Sequence, residues 1–168
     1  NAVNVQTGES YATLQEALSA AAKGETVKLL SSTSGTGLVI NKNITIDFGG
    51  YTYTVNAPVG SAGTETLGLQ ILKGTKVTLK NGTLNVDEES KDDFYILIQN
   101  YSNLTVENMK LDGTNLDKWS TTDGDSYTLS NNSGYVDIYS STIKANDEGD
   151  KAFAFDACKY QNYEAPVV

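Results

Sequence analysis

The chain has 168 residues and a mass of 18.0 kDa, the size of one domain or a short repeat array and too little for two well-cored domains. All 12 basic residues are Lys, so there is neither His nor Arg; this excludes Ser-His-Asp and Cys-His nucleophile systems, His-ligated zinc and the bidentate guanidinium fork. A net charge of −9 with a pI near 4.4 opposes binding to nucleic acid or to an anionic membrane surface.

With 39% apolar and 20% charged residues the composition builds a core, and 15 Gly with 15 Asn favour strands joined by many turns. No run approaches the roughly 20 apolar residues of a membrane span. The opening Asn1–Gly8 is polar and lacks the basic start and apolar centre of a signal peptide. The first residue is not Met, and Ala165-Pro-Val-Val168 reads as the opening of another strand, so the chain reads as a fragment of something longer. Cys158 is alone, which rules out a disulfide within the chain and reads as a small core residue.

One segment has helical periodicity. Thr13 and Glu16 form a capping box, Leu14, Ala17, Leu18 and Ala21 share a face, and Gly24 follows as a stop, which predicts a helix of about ten residues. The three alanines from Ala20 to Ala22 let it sit close to what it covers, as a lid over an open end of core. Residues 1–25 are thus an N-terminal strand and capping helix, and 26–168 a strand-rich remainder of the same domain.

From Glu25 the period becomes two. Thr26–Leu30 and Leu38–Ile40 read as strands, and a polar-apolar template then recurs at Asn43–Asp47, Lys76–Lys80, Asn103–Glu107 and Tyr135–Tyr139. Each of the last three is followed by a turn and a second short strand, at Asn81–Asn85, Asn108–Asp112 and Ser140–Lys144. A third type precedes them, at Leu67–Leu72, Phe94–Ile98 and Phe153–Phe155, with a weaker member at Tyr127–Leu129. Aligning Ile44, Val77, Leu104 and Val136 gives spacings of 33, 27 and 32 residues. Three short strands in about thirty residues are the mark of a solenoid coil, with equivalent strands stacked in parallel about 4.8 Å apart. Asn81 and Asn108 suit the corner between the first two strands, because Asn tolerates left-handed backbone, and Asn108 is expected to stack on Asn81. A β-sandwich is the runner-up, but it gives no reason for the matched offsets.

Tyr11-Ala-Thr-Leu-Gln-Glu-Ala-Leu18, Gly24-Glu-Thr-Val-Lys-Leu-Leu30 and Leu38-Val-Ile-Asn-Lys-Asn-Ile-Thr-Ile-Asp-Phe-Gly-Gly50 together resemble the start of right-handed parallel β-helix proteins of the pectate-lyase-like superfamily. The resemblance implies an all-β, right-handed parallel β-helix of about five coils with an N-terminal capping helix. For activity it is unspecific, since the superfamily holds polysaccharide lyases and hydrolases, bacterial surface adhesins and phage virion or tail components. Ile96–Val106 and Ala152–Tyr160 look more like its non-catalytic surface or phage-associated members, which implies an extracellular place on a virion or bacterial cell surface.

Four insertions fall at one point of the repeat, after the second strand: Ala57–Thr66, Asp87–Asp93, Asp112–Ser126 and Asn146–Lys151. All are therefore expected along one edge, and three are acidic. Asp87, Asp123, Asp125 and Asp147 offer hard oxygen ligands for Ca²⁺, but none has the spacing of an EF-hand or nonapeptide calcium loop, and solvated loops explain them better. Trp119, with Asp117, Asp123, Asp125 and Tyr127 around it, has the make-up of a carbohydrate site: a ring for the apolar face of a sugar and carboxylates for its hydroxyls. Trp119 pinning its own loop explains the same residues. Carboxylate pairs such as Asp123 with Asp125 or Asp87 with Asp117 are expected by chance in so acidic a chain, and only Lys is available as a lyase base. Tyr51 with Tyr53, and Tyr135 with Tyr139, read as outward aromatics that either stabilise a sheet or mark a partner surface. The five Asn-X-Ser/Thr sequons follow from composition alone.

The expected function is a non-enzymatic, surface-displayed β-solenoid module, an adhesin or a phage fibre or decoration protein, binding glycan or a host or capsid surface through the insertion edge. A homo-oligomer, for instance a trimer, is expected for a fibre. A β-helix polysaccharide lyase or hydrolase and a purely structural spacer are the alternatives.

Overall fold

The computed structural model describes residues 1–117, 124–148 and 151–168. Strands β1 (Ala2–Asn4) and β2 (Ser10–Tyr11) and helix α1 (Leu14–Ala20) precede five rungs. The first is β3 (Thr26–Leu29), β4 (Thr33–Thr36) and β5 (Leu38–Ile40), and the second is β6 (Ile44–Asp47), β7 (Thr52–Ala57) and β8 (Leu67–Ile71). The third is β9 (Lys76–Val86) and β10 (Ile96–Asn100), and the fourth is β11 (Asn103–Asp112) and β12 (Ser126–Asn132); β9 and β11 each run through a corner and supply two legs. The fifth is β13 (Tyr135–Tyr139), β14 (Thr142–Lys144) and β15 (Ala152–Cys158). Every rung-to-rung pairing is parallel, giving an all-β solenoid of about 4 turns.

The alternation of the first strands sets their register. Ile44 pairs with Val77, Val77 with Leu104 and Leu104 with Val136, the alignment that the spacing predicts. These side chains point inward and are almost fully buried, as are Ile46, Leu79 and Val106 two residues on. At the first corner Asn81 and Asn108 hold positive φ values of 63° and 50°, and Asn108 Nδ2 donates to Asn81 Oδ1 at 3.2 Å. Asn81 in turn donates to Asp47 at 3.2 Å, so one polar ladder spans three rungs.

Thr13 and Glu16 cap α1 reciprocally, and Leu14, Ala17, Leu18 and Ala21 bury one face against the core. The helix is shorter than the pattern suggests. It stops at Ala20 because Ala21 turns extended, so Gly24 terminates nothing helical, and of the three alanines only Ala21 is buried. β1 adds antiparallel to β3 and covers its edge.

Three expectations change, and one strand forms where no pattern announced it. Tyr53 does not share an outward face with Tyr51: it lies inward, 2% exposed, with its hydroxyl donating to the Thr36 carbonyl at 2.6 Å, while Tyr51 sits before the strand and stays open to solvent. Cys158 is not a core residue; it ends the last strand, is exposed and lies 2.7 Å from Asn132 Oδ1. β4 is a strand although Thr-Ser-Gly-Thr has no apolar residue, because it pairs with β7. β12 extends well past Tyr127–Leu129, since Ser130, Asn131 and Asn132 are buried through hydrogen bonds and not through apolar contact.

Candidate functional site: the insertion edge

All four insertions leave the stack at the end of a second leg and re-enter at the start of a third, so they share one corner. Successive insertions are stapled to the coil below. Asn115 Nδ2 donates to the Val86 carbonyl at 3.0 Å, and one coil higher Asn146 Nδ2 donates to the Leu116 carbonyl at 2.6 Å. The second, third and fourth insertions thereby close around a polar cavity of about 330 Å³ lined by Asn85, Glu88, Asp112, Thr114, Asn115 and Glu148.

Asp112 is the fixed point of this cavity. Burial alone would raise its pKa, but the Thr114 hydroxyl and amide and the Lys110 ammonium at 3.2 Å outweigh it and hold the carboxyl below its ordinary value. Glu25, near the first rung, is also lowered, first by the Asn4 amide at 2.7 Å and then by the Ala22 N–H. Both shifts run opposite to what a general acid requires.

At the start of the third legs, Tyr127 stacks on Phe153 of the next rung with centroids 5.4 Å apart and planes 17° from parallel. The Tyr127 hydroxyl donates to Asp125 at 3.0 Å, which fixes the ring's outer edge. The backbone of the coil below seats both ends of the third insertion: the Asp117 N–H, at a φ of 55°, donates to the Phe94 carbonyl at 2.6 Å and the Tyr127 N–H to the Tyr95 carbonyl at 2.7 Å. Asp117, Asp125 and Tyr127 thus belong to one corner, whereas Trp119 and Asp123 lie outside the described residues.

Among the described residues, the calcium candidates Asp87, Asp125 and Asp147 form no common site. Among the described residues no group of three carboxylate, thiol or imidazole side chains is placed to hold a metal ion. The Asp87 carboxylate accepts the Glu89 N–H at 2.9 Å, Asp147 sits 3.6 Å from Lys144, and Asp125 is taken by Tyr127. These loops stay folded by bonding their own backbone and neighbours.

Phe153 and the cavity residues Asn85, Thr114, Asn115 and Glu148 are not among the residues that sequence reading singles out. Phe153 had a signal: it opens the same template strand as Tyr127, and the register aligns the two. The cavity residues had none, because their convergence depends on how each insertion folds.

Among the described residues no helix is long and apolar enough to cross a membrane. Compared with known protein families, curated proteins and solved structures, the chain matches none of them.

Proposed function

We propose that this chain is a non-enzymatic binding module of the surface-displayed β-helix type, as in a bacterial adhesin or a phage fibre or decoration protein, and that it holds glycan on the insertion edge. One observation carries the reading: a flat aromatic pair, Tyr127 on Phe153, opens the third legs of two successive rungs at the corner whose insertions line a cavity of amides, hydroxyls and carboxylates. A sugar ring offers an apolar face to stack and hydroxyls to bond, so both halves of such a surface have a use. The lowered carboxyl of Asp112 and the absence of His and Arg from the chain favour recognition over proton transfer.

The test is a glycan array, followed by titration calorimetry on any ligand found, with Tyr127→Ala and Phe153→Ala as variants. Affinity is expected to fall about tenfold for each, the loss of one stacking contact. Incubation with pectins, alginates and host glycans runs alongside. Release of products would replace this reading with the lyase or hydrolase alternative, and the absence of any ligand would leave the spacer.

A further inference from the structure

The charge of the chain is not spread along it. The three acidic insertions, Asp87–Asp93, Asp112–Ser126 and Asn146–Lys151, hold twelve carboxylates and three Lys, which amounts to −9, the net charge of the whole chain. The other residues hold nine carboxylates and nine Lys and balance. Because these insertions leave the stack at one corner, the rungs are neutral as a set and the negative charge belongs to the insertion edge. Clustered charge of one sign raises the local concentration of opposite charge and lowers that of like charge. Among the described residues of this edge the cations are already in use: Lys110 lies 3.2 Å from Asp112, Lys144 lies 3.6 Å from Asp147, and Lys91 and Lys151 are engaged as well.

Hydrogen bonding points the same way. Of the three neutral side chains that line the cavity, Thr114 donates its hydroxyl to Asp112, and Asn115 donates its amide to the Val86 carbonyl. The third, Asn85, has its Oδ1 buried without a donor. The remaining lining groups are the carboxylates of Glu88, Asp112 and Glu148, which only accept when ionised. Asp112, despite its burial, is held below its ordinary pKa by Thr114 and Lys110 and is therefore charged at neutral pH. At the aromatic pair the group that fixes the Tyr127 hydroxyl is again a carboxylate, that of Asp125. The edge is rich in acceptors and short of donors.

We propose that the glycan held at this edge is neutral or carries amines, and that uronates, sialic acids and sulfated sugars are turned away. The inference rests on the glycan reading of the same edge and adds the class of sugar to it. Sugar hydroxyls and ammonium groups bring the donors that these carboxylates lack. A carboxylate or sulfate on the ligand brings acceptors only, enters a field of its own sign, and finds no guanidinium anywhere in the chain to receive it.

An array of matched glycan pairs, probed with the whole 168-residue chain, tests this: sialylated against desialylated oligosaccharides, oligogalacturonate against its methyl ester, and chitosan against chitin oligomers. At about 10 mM salt the neutral member of an acidic pair is expected to bind at least tenfold more tightly, and the gap is expected to close as salt rises to about 0.5 M. The free amine of chitosan is expected to bind at least as tightly as its acetylated counterpart. Glu89→Gln with Asp93→Asn neutralises two exposed insertion carboxylates that do not line the cavity. This double variant is expected to narrow the gap while the affinity for the neutral member and the far-ultraviolet circular dichroism stay the same. Tighter binding of the acidic member, equal binding of both, or a gap that neither salt nor the double variant alters would overturn the proposal and leave the glycan reading standing. Binding to no member of any pair would remove the glycan reading, and this one with it.

Discussion

Asn100 and Asn131, both 0% exposed, are joined inside the corner between the third leg and the next first leg, with Asn100 Nδ2 donating to Asn131 Oδ1 at 3.0 Å. Asn100 also donates to the Ser102 carbonyl at 2.9 Å, and Asn131 to the Gly134 and Val167 carbonyls at 3.0 and 3.1 Å. The pair thereby adds a second bond to corner carbonyls that already accept backbone N–H groups, from Tyr135 at Ser102, Val167 at Gly134 and Val136 at Val167. Burying two amides costs free energy unless every bond is made, which makes the ladder a sensitive point. Asn131→Ala is expected to destabilise the fold by about 2 kcal/mol in urea denaturation, since it removes three hydrogen bonds of a fully buried side chain and leaves a cavity in their place.

Gly134 sits against this ladder. A Cβ there would overlap Asn100 Nδ2 and lie 2.6 Å from Asn131 Oδ1 and 2.7 Å from the Ser102 carbonyl. None of these atoms has room to withdraw. Gly134→Ala is expected to cost about 2 kcal/mol or more, whereas Gly124→Ala, whose Cβ would meet the Tyr95 ring at 3.4 Å, should lie within about 0.5 kcal/mol of the parent. Thermal unfolding of the two variants side by side checks the contrast.

Burial pushes the Tyr53 phenol up to about 12. Its proton is held more tightly in the folded state than in the unfolded chain, where the value is near 10. The stability linked to Tyr53 is thus fully present below about pH 10 and drains away as pH rises through about 12. A spectrophotometric phenolate titration should show Tyr53 ionising last, behind Tyr11, Tyr101 and Tyr127, which are also raised, and Tyr53→Phe should remove that last step while taking the donor from the Thr36 carbonyl.

At the acid end the sign reverses. Asp112 and Glu25 have folded pKa values below their ordinary ones, so each contributes stability above the ordinary carboxylate range that is lost as pH falls through the lowered value. The thermal midpoint should therefore drop on acidification below about pH 4, and Asp112→Asn should make that drop shallower. An unchanged acid limb in the variant would show that the Thr114 and Lys110 contacts contribute nothing measurable.

The winding of the chain is legible in the residues because alternation and spacing are local properties. Ile44, Val77, Leu104 and Val136 each sit in a polar-apolar run, and a repeat of about thirty residues leaves one parallel register that buries them all. The capping box at Thr13 and the left-handed corners at Asn81 and Asn108 are local too. What escapes such reading is burial that does not follow hydrophobicity. Asn100 and Asn131 look like chance sequons, β4 carries no strand pattern and Cys158 looks like core, and each is decided by which rung lies above or below it.

The amino-acid sequence alone determined the parallel coil, its lid and the edge from which the insertions leave, since these follow from periodicity, capping chemistry and chain spacing. Only the tertiary structure decided that Tyr127 lies on Phe153, that Asp112 and Glu148 from different coils line one cavity, and that Asn100 and Asn131 meet inside a corner. Those outcomes depend on distances between residues far apart in the chain, and no local pattern encodes a distance until the rungs are stacked.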